Sequence, residues 1–428
     1  MELGVTKEWN AAYKKIGQAI VLVLGDVGRS PRMQYHALSL AEEAGYAVTL
    51  VGYSGETCFE AIQNEKKIRE KRFQQPKTKS RLFKLVVLIW RLVCILFSLH
   101  RVKLVLVQTP PAIPSLFFAW LLAKKNGALL IFDFHNLGYT LLLEAIKNQK
   151  KSIKNDQSIS LTDSFKFNAY KFIERASARF LNPRNNLCVS ECMRLWLATH
   201  FQIHATVFRD RPPRFFFTSS KKKNQTLLEL RARLPCLQAY RPGTAVIMSS
   251  TSWSPDEDFD ILLDALVQFQ KTKSQICLLI IITGKGPLRS QFESRIQQLD
   301  LSPQIHIACA WLESSDYLAL LQATHAGLCL HASSSGLDLP MKVLDMFGAQ
   351  LPVLALDFPA LPELITNNHN GLTFHDAHTL ANALVYLLAD FDGQSSPILA
   401  RLKQNSRFLP SDDWHAHWRR SVLPLVLS

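Results

Sequence analysis

A chain of 428 residues is too long for one ordinary core and implies two domains. With 48% hydrophobic and 20% charged residues it is globular, which excludes a long disordered region. Its net charge of +14 favours anionic partners, but no RNA-binding signature, zinc-finger spacing or helix-turn-helix punctuation accompanies that charge, so nucleic acid is not expected among them.

The N-terminal MELGVTKEWNAAYKKIGQ is too polar for a signal peptide or a spanning helix. Ala19 to Leu24 is a continuous apolar run ending in GDVGRSPR, which reads as a buried parallel strand with a glycine-rich turn. Met33 to Ala44 is then a helix and Ala47 to Gly52 the next strand. Leu82 to Leu99 (LFKLVVLIWRLVCILFSL) carries only Lys84 and Arg91 between basic flanks, and reads either as an amphipathic helix lying in a membrane interface or as a helix buried on a sheet. Strands follow at Lys103 to Gln108 and Leu129 to Asp133, a polar loop or insertion at residues 147 to 164, a helix at Phe165 to Phe180, and strands at Asn186 to Ser190 and Thr206 to Phe208.

Thr218 to Pro242, with its KKKNQ run, reads as a connector. The alternation then resumes, with strands at Ala245 to Ser249, Ile276 to Thr283, Ile305 to Cys309, Ala326 to Leu330 and Val353 to Leu356. Helices at Asp256 to Thr272, Leu288 to Leu299 and Leu361 to Ile365 lie between or after them. Trp414 to Leu427 is an apolar-aromatic helix expected to cross back onto the first domain. The expected organisation is an N-terminal Rossmann-like domain over 1–215, a linker over 216–242, a C-terminal Rossmann-like domain over 243–408 and a terminal helix over 409–428.

Eight scattered cysteines without a CxxC pair suggest buried reduced thiols. Cys188 and Cys192, at helical spacing, lack partners that would complete a metal site. The most informative stretch is HASSSGLDLPMKVLD, His331 to Asp345. An apolar strand runs there into three serines and a glycine, then into a helix whose first turns carry Asp338, Lys342 and Asp345. Gly336 allows a tight turn, serine hydroxyls donate to phosphate oxygens, and Lys342 adds a point charge, so a nucleotide diphosphate would fit. An ordinary capped helix on a parallel sheet explains the same spacing. Two such α/β domains facing across a cleft suit a nucleotide-sugar glycosyltransferase. A dinucleotide enzyme would want GxGxxG after its first strand, and GDVGRS lacks it.

Six strings occur in order: LGDVGRSPRMQYHALSLA (24–41), QTPPAIPS (108–115), FHNLGYT (134–140), SSTSWSPDEDFDILLDAL (249–266), ITGKGPL (282–288) and CLHASSSGLDLPMKVLDMFG (329–348). Together they strongly resemble the chitobiosyldiphosphodolichol beta-mannosyltransferases. The resemblance implies an α/β fold of the GT-B type and inverting β-1,4 transfer of mannose from GDP-mannose to GlcNAc2-diphosphodolichol. It implies no tightly bound metal or other cofactor. It places the reaction at the cytosolic face of the endoplasmic reticulum membrane, with other mannosyltransferases of the pathway as further expected partners. That family commonly begins with a spanning anchor, which the first residues here do not resemble, so attachment is expected to rest on Leu82 to Leu99 or on a partner. Phe134 stands where the family has tryptophan, and Thr109 where it has asparagine.

Carried over by residue, Ser250, Thr251, Gly284, Lys285, His331, Ser333, Ser334, Ser335, Gly336 and Lys342 would hold the donor. Asp338 and Asp345 would take mannose and ribose hydroxyls, unless Asp338 only caps its helix. Gly28, Arg29, Ser30 and Arg32 would approach and grip the acceptor diphosphate, with Asp210 and Arg211 lining the cleft and Glu174 matching an acidic helix position. Inversion needs a base, for which His135 is the candidate and Asp133 the rival. A related transferase with another donor or lipid acceptor, and a catalytically silent membrane-associated scaffold, are the alternatives.

Overall fold

A computed structural model describes residues 6–74, 81–154, 160–181, 185–212, 225–254, 257–272, 275–406 and 413–427. The polar N-terminal stretch contains a helix not anticipated from composition. This is α1 (Lys7–Lys15), capped by the Thr6 hydroxyl, which accepts from the Trp9 amide at 3.0 Å, and it buries Trp9 and Ala12.

The first unit then runs β1 (Gln18–Asp26), α2 (Pro31–Glu42), β2 (Ala47–Tyr53), α3 (Glu60–Asn64), β3 (Ile68–Phe73), α4 (Arg81–Ser98), β4 (Val102–Thr109), α5 (Ser115–Asn126), β5 (Leu129–Phe134), α6 (Gly138–Lys154), α7 (Leu161–Phe180), β6 (Asn185–Cys188), α8 (Glu191–Trp196) and β7 (Thr206–Val207). Its seven strands are parallel in the order β3-β2-β1-β4-β5-β6-β7. β3 reads IREKRF. Four of its six residues are charged, which hides it in a hydropathy scan, but it is an edge strand and charge belongs there.

Part of the expected polar loop at 147–164 is helical. Residues 147–154 continue α6, and Ser160 caps α7, its hydroxyl accepting from Asp163 N. Lys and Gln are good helix formers, and no glycine or proline interrupts them. The rest of that stretch, 155–159, lies outside the described residues.

The second unit runs α9 (Leu227–Arg231), β8 (Ala245–Ser250), α10 (Phe259–Lys271), β9 (Leu278–Thr283), α11 (Arg289–Gln297), β10 (Ile305–Ala310), α12 (Ser314–Ala323), β11 (Ala326–Cys329), α13 (Met341–Gly348), β12 (Val353–Leu356), β13 (Gly371–Phe374), α14 (Ala377–Leu387) and α15 (Pro397–Asn405). Its six parallel strands are ordered β10-β9-β8-β11-β12-β13. Alternate residues serve its two faces: Ala245, Ile247, Leu278 and Ile280 pack on one side, Val246, Met248, Leu279 and Ile281 on the other. The expected connector is structured in its latter part, because Leu230, Leu234 and Leu237 bury into that second layer and Thr226 with Glu229 forms a capping box on α9. Residues 218–224 of it lie outside the described residues.

α16 (Trp414–Ser421) and α17 (Leu423–Leu427) belong to the first unit, which comprises the residues up to Asp210 and those from Trp414 onward. Trp414, Trp418, Val422 and Val426 are buried with Ala37, Leu40 and Phe208. Trp414 Nε1 donates to Ser39 Oγ at 3.0 Å and Trp418 Nε1 to His36 Nδ1 at 3.1 Å. Among the described residues no helix is long and apolar enough to cross a membrane.

Candidate active site

In each sheet the strand order reverses once, between β1 and β4 and between β8 and β11. Open parallel sheets bind ligands beyond the carboxyl ends of the strands at that point. In the second unit the loops after β8 and β11 enclose a cavity of about 370 Å³. It is lined by Ser250, Thr251, Ser252, Glu257, His331, Asp338, Leu339, Pro340, Met341 and Lys342.

α13 begins at Met341, later than the sequence suggests, with Pro340 at the N-cap and no side-chain cap. Proline has no acceptor side chain, so no side chain caps the first turn of α13 beside the cavity; Val343 N donates to the Pro340 carbonyl at 3.1 Å, which leaves the Met341 and Lys342 amides at the helix start. Asp338 is therefore not the cap of that helix. Its carboxylate accepts from the Ser333 hydroxyl and lies 3.1 Å from His331 Nε2. Ser333 Oγ also accepts from Gly336 N at 2.8 Å, and Ser335 Oγ from Leu337 N at 3.2 Å. Two of the three serines thus shape the loop with their hydroxyls, in addition to any bond they make to a ligand, and Gly336 occupies a left-handed φ of 73° that favours glycine. Ser334 sits between them, half-buried.

Lys342 is not the unpaired point charge the sequence suggests. Its Nζ is ion-paired with Glu257, whose carboxylate is 1% exposed and also accepts from the Thr251 hydroxyl. Glu257 escapes sequence reasoning because it precedes α10 in SPDEDFD and looks like one of several interchangeable helix-start acids. An isolated bridge pairs it with His331 instead. Asp345 lies outside the cavity lining, half-buried, and accepts from Tyr317 Oη at 3.3 Å, with Ser250 on the same tyrosine. Burial pushes the Asp345 carboxyl up to about 7, only partly opposed by the tyrosine bond.

Gly284 has φ 148°, and a Cβ there would overlap the Thr251 carbonyl oxygen. The glycine thus serves the packing of the β8 and β9 strand-end loops. Lys285 holds its Nζ over the Trp311 ring, 3.9 Å from the centroid.

The first unit carries a buried charge cluster at its own switch point. Arg32 is 2% exposed. Its Nε and Nη2 donate to the two Asp133 oxygens at 2.8 Å each, and its Nη1 donates to Asp210 Oδ1 at 2.8 Å and Phe208 O at 2.9 Å. The guanidinium is spent on the protein itself and does not provide the expected acceptor grip. Asp210 likewise serves Arg32 rather than lining an open surface.

Asp133 is 0% exposed. Burial alone would raise its carboxyl, but the Arg32 charge, aided by His135 and His36, holds it well below the usual carboxylate range. At 0% exposure and with both oxygens on Arg32, Asp133 presents no open edge to a substrate hydroxyl, so the geometry favours His135 over it as the base. It instead orients His135, whose Nε2 lies 2.8 Å from Asp133 Oδ2 and whose backbone N–H donates to Thr109 O at 2.9 Å. With Nε2 donating to that carboxylate, the lone pair of His135 resides on Nδ1. His36 is held neutral by burial, with Nδ1 accepting from Trp418 and Nε2 3.3 Å from Asp133.

The remaining first-unit expectations divide. A Cβ on Gly28 would overlap the Glu56 backbone oxygen, so the close approach it permits is to its own chain. Ser30 Oγ donates to Asp26 O at 3.2 Å, Arg29 is exposed and Arg211 half-buried. Glu174 accepts from Gly138 N at 2.8 Å and Tyr139 N at 2.9 Å, so it caps α6 from α7. Among the described residues no group of three or more His, Cys, Asp or Glu is placed to hold a metal ion.

Residues 242–390 match the family described as glycosyl transferases group 1. A chitobiosyldiphosphodolichol beta-mannosyltransferase of Mus musculus is 34% identical, covering 95% of this chain and 88% of that protein. Its counterpart in Homo sapiens is 33% identical over 99% and 96%. A UDP-glycosyltransferase of Arabidopsis thaliana, TURAN, is 33% identical over 96% and 97%. Among solved structures, Anabaena Alr3699/HepE in complex with UDP and glucose superimposes with a TM-score of 0.67 at 14% identity, covering 96% of this chain and 99% of that one. WaaG, a glycosyltransferase of lipopolysaccharide biosynthesis, gives 0.64 at 14% over 94% and 96%.

Proposed function

The chain belongs to the chitobiosyldiphosphodolichol beta-mannosyltransferases, glycosyltransferases of the GT-B fold, and we propose that it transfers mannose from GDP-mannose to GlcNAc2-diphosphodolichol with inversion at the cytosolic face of the endoplasmic reticulum membrane. The observation that carries the donor half is the uncapped N-terminus of α13 opening on the 370 Å³ cavity beside Lys342. Those amides and that ammonium would meet the negative charge that builds on the diphosphate as the mannose C1–O bond breaks. Asp338, oriented by Ser333, would accept from mannose hydroxyls. His135 Nδ1 would take the proton of the attacking sugar hydroxyl, with Asp133 stabilising the imidazolium that forms.

The Arabidopsis relative, named a UDP-glycosyltransferase, favours a second reading in which the donor base is uracil. Transfer from labelled GDP-mannose and from a UDP-sugar to a GlcNAc2-diphosphate lipid, in wild type and His135→Ala, tests both. The proposal expects transfer from GDP-mannose alone, and expects His135→Ala to bind GDP without turnover. Transfer from the UDP-sugar alone supports the second reading. GDP binding with no transfer by wild type would leave a silent scaffold.

A further inference from the structure

α7 is amphipathic the wrong way round for a helix on a soluble surface. At about 100° per residue, Leu161, Phe165, Phe172 and Phe180 fall within an arc of about 100°, while the buried Glu174 and Ala178 fall opposite. The apolar side faces out: Phe165 is 75% exposed, Phe172 71% and Phe180 84%. The polar Glu174 faces in, because its two carboxylate oxygens accept from two backbone amides of α6, and this pair of hydrogen bonds fixes the rotation of α7 about its axis.

The patch extends beyond α7. α5 touches both α4 and α7, and it exposes Phe117 next to the half-buried Trp120. α4 exposes Val86 and Trp90, the latter 67%, while Leu92 and Ile95 on its other side are buried. The topology explains why these helices are neighbours. The crossovers β3 to β4, β4 to β5 and β5 to β6 all advance the same way along the sheet, and right-handed connections then place α4, α5 and α7 on one face. Three helices of one layer thus present aromatic side chains outward, more than scattered surface apolarity accounts for.

We propose that this α4–α5–α7 face is a docking surface for an anionic lipid bilayer, into which the aromatic side chains insert without any helix crossing it. Charge selects this occupant. On the same wheel the exposed Lys166 and Arg175 flank the aromatic arc of α7 on either side and the exposed Arg179 lies within it, and Lys124 lies over Trp120 at 4.9 Å. The acids of α7 are Asp163, half-buried, and the buried Glu174. Apolar insertion flanked by lysine and arginine suits anionic headgroups above acyl chains. The proposal rests on the lipid-acceptor reading and adds where the protein meets the lipid phase.

Flotation of the full chain with phosphatidylcholine vesicles, with and without phosphatidylserine, tests it. These vesicles hold no acceptor, so the result is independent of whether mannose transfer is the reaction. Wild type is expected to float with the anionic vesicles, and Phe165→Ser/Phe172→Ser to partition at least about tenfold more weakly with GDP binding unchanged. Trp90→Ser, on a different helix, is expected to weaken flotation too, which guards against one variant misfolding. Wild type that ignores anionic vesicles overturns the proposal. So do variants that float as wild type does, or variants whose only change is loss of self-association, which would make the face a contact between copies of this chain.

Discussion

Replacing Arg32 by methionine separates a structural from a substrate-binding role. The side chain is 2% exposed and makes four hydrogen bonds, three of them to Asp133 and Asp210. Methionine keeps much of the apolar stem but leaves two carboxylates without their cation, Asp133 at 0% exposure. Breaking a buried ion pair from one side costs about 3–5 kcal/mol. For a unit of this size about 2–4 °C accompanies each kcal/mol, so the melting transition of the first unit should fall by roughly 6–20 °C. Calorimetry of Arg32→Met and of wild type, with and without GDP, reads this directly. A melting point within about 2 °C of wild type, together with a raised acceptor KM, would refute the structural assignment and restore Arg32 as a substrate grip.

Lys342→Ala leaves Glu257 uncompensated beside the cavity and should weaken GDP binding by more than about tenfold, whereas Lys342→Ala/Glu257→Gln should recover at least half of the lost free energy in titration calorimetry. Gly284→Ala places a Cβ on the Thr251 carbonyl at φ 148° and should destabilise the second unit by about 2 kcal/mol or more, read by urea denaturation. Asp345, raised to about 7, binds a proton in the folded state that the unfolded chain releases near pH 4. This group therefore makes stability fall as pH rises from about 4 to 7, and Asp345→Asn should flatten that slope. Asp133 works in the opposite sense. Its depressed carboxyl contributes stability that is present above about pH 4 and lost as pH falls through the folded value, so an acid unfolding midpoint that stays put in Asp133→Asn would contradict the ion-pair assignment.

Continuous apolar runs such as Ala19 to Leu24 and Ile276 to Thr283 are long enough, and punctuated enough by glycine, to be read as buried parallel strands. Six ordered motifs were enough to indicate the family. The loop after β11 contributes His331 and Asp338 to the cavity wall, whereas Ser333 to Gly336 lie outside its lining, and their small polar character suits a self-bonded loop as well as a ligand cradle. What the sequence by itself determined is therefore local: which segments are buried, where they turn, and which loops end at the strands' carboxyl edge.

Pairing over long separations was decided only by the tertiary structure. Arg32 and Asp210 are 178 residues apart, and Lys342 and Glu257 are 85 apart, so no spacing rule connects them. A charged residue in a motif reads equally well as a ligand group or as a counter-ion until its partner is known. Burial then settles the matter, since a charge removed from water must be paired within the protein. The spacing of Phe165, Phe172 and Phe180 gives α7 an apolar side, but periodicity does not say which side faces inward. The Glu174 cap on α6 chose it, and turned four apolar side chains toward the solvent.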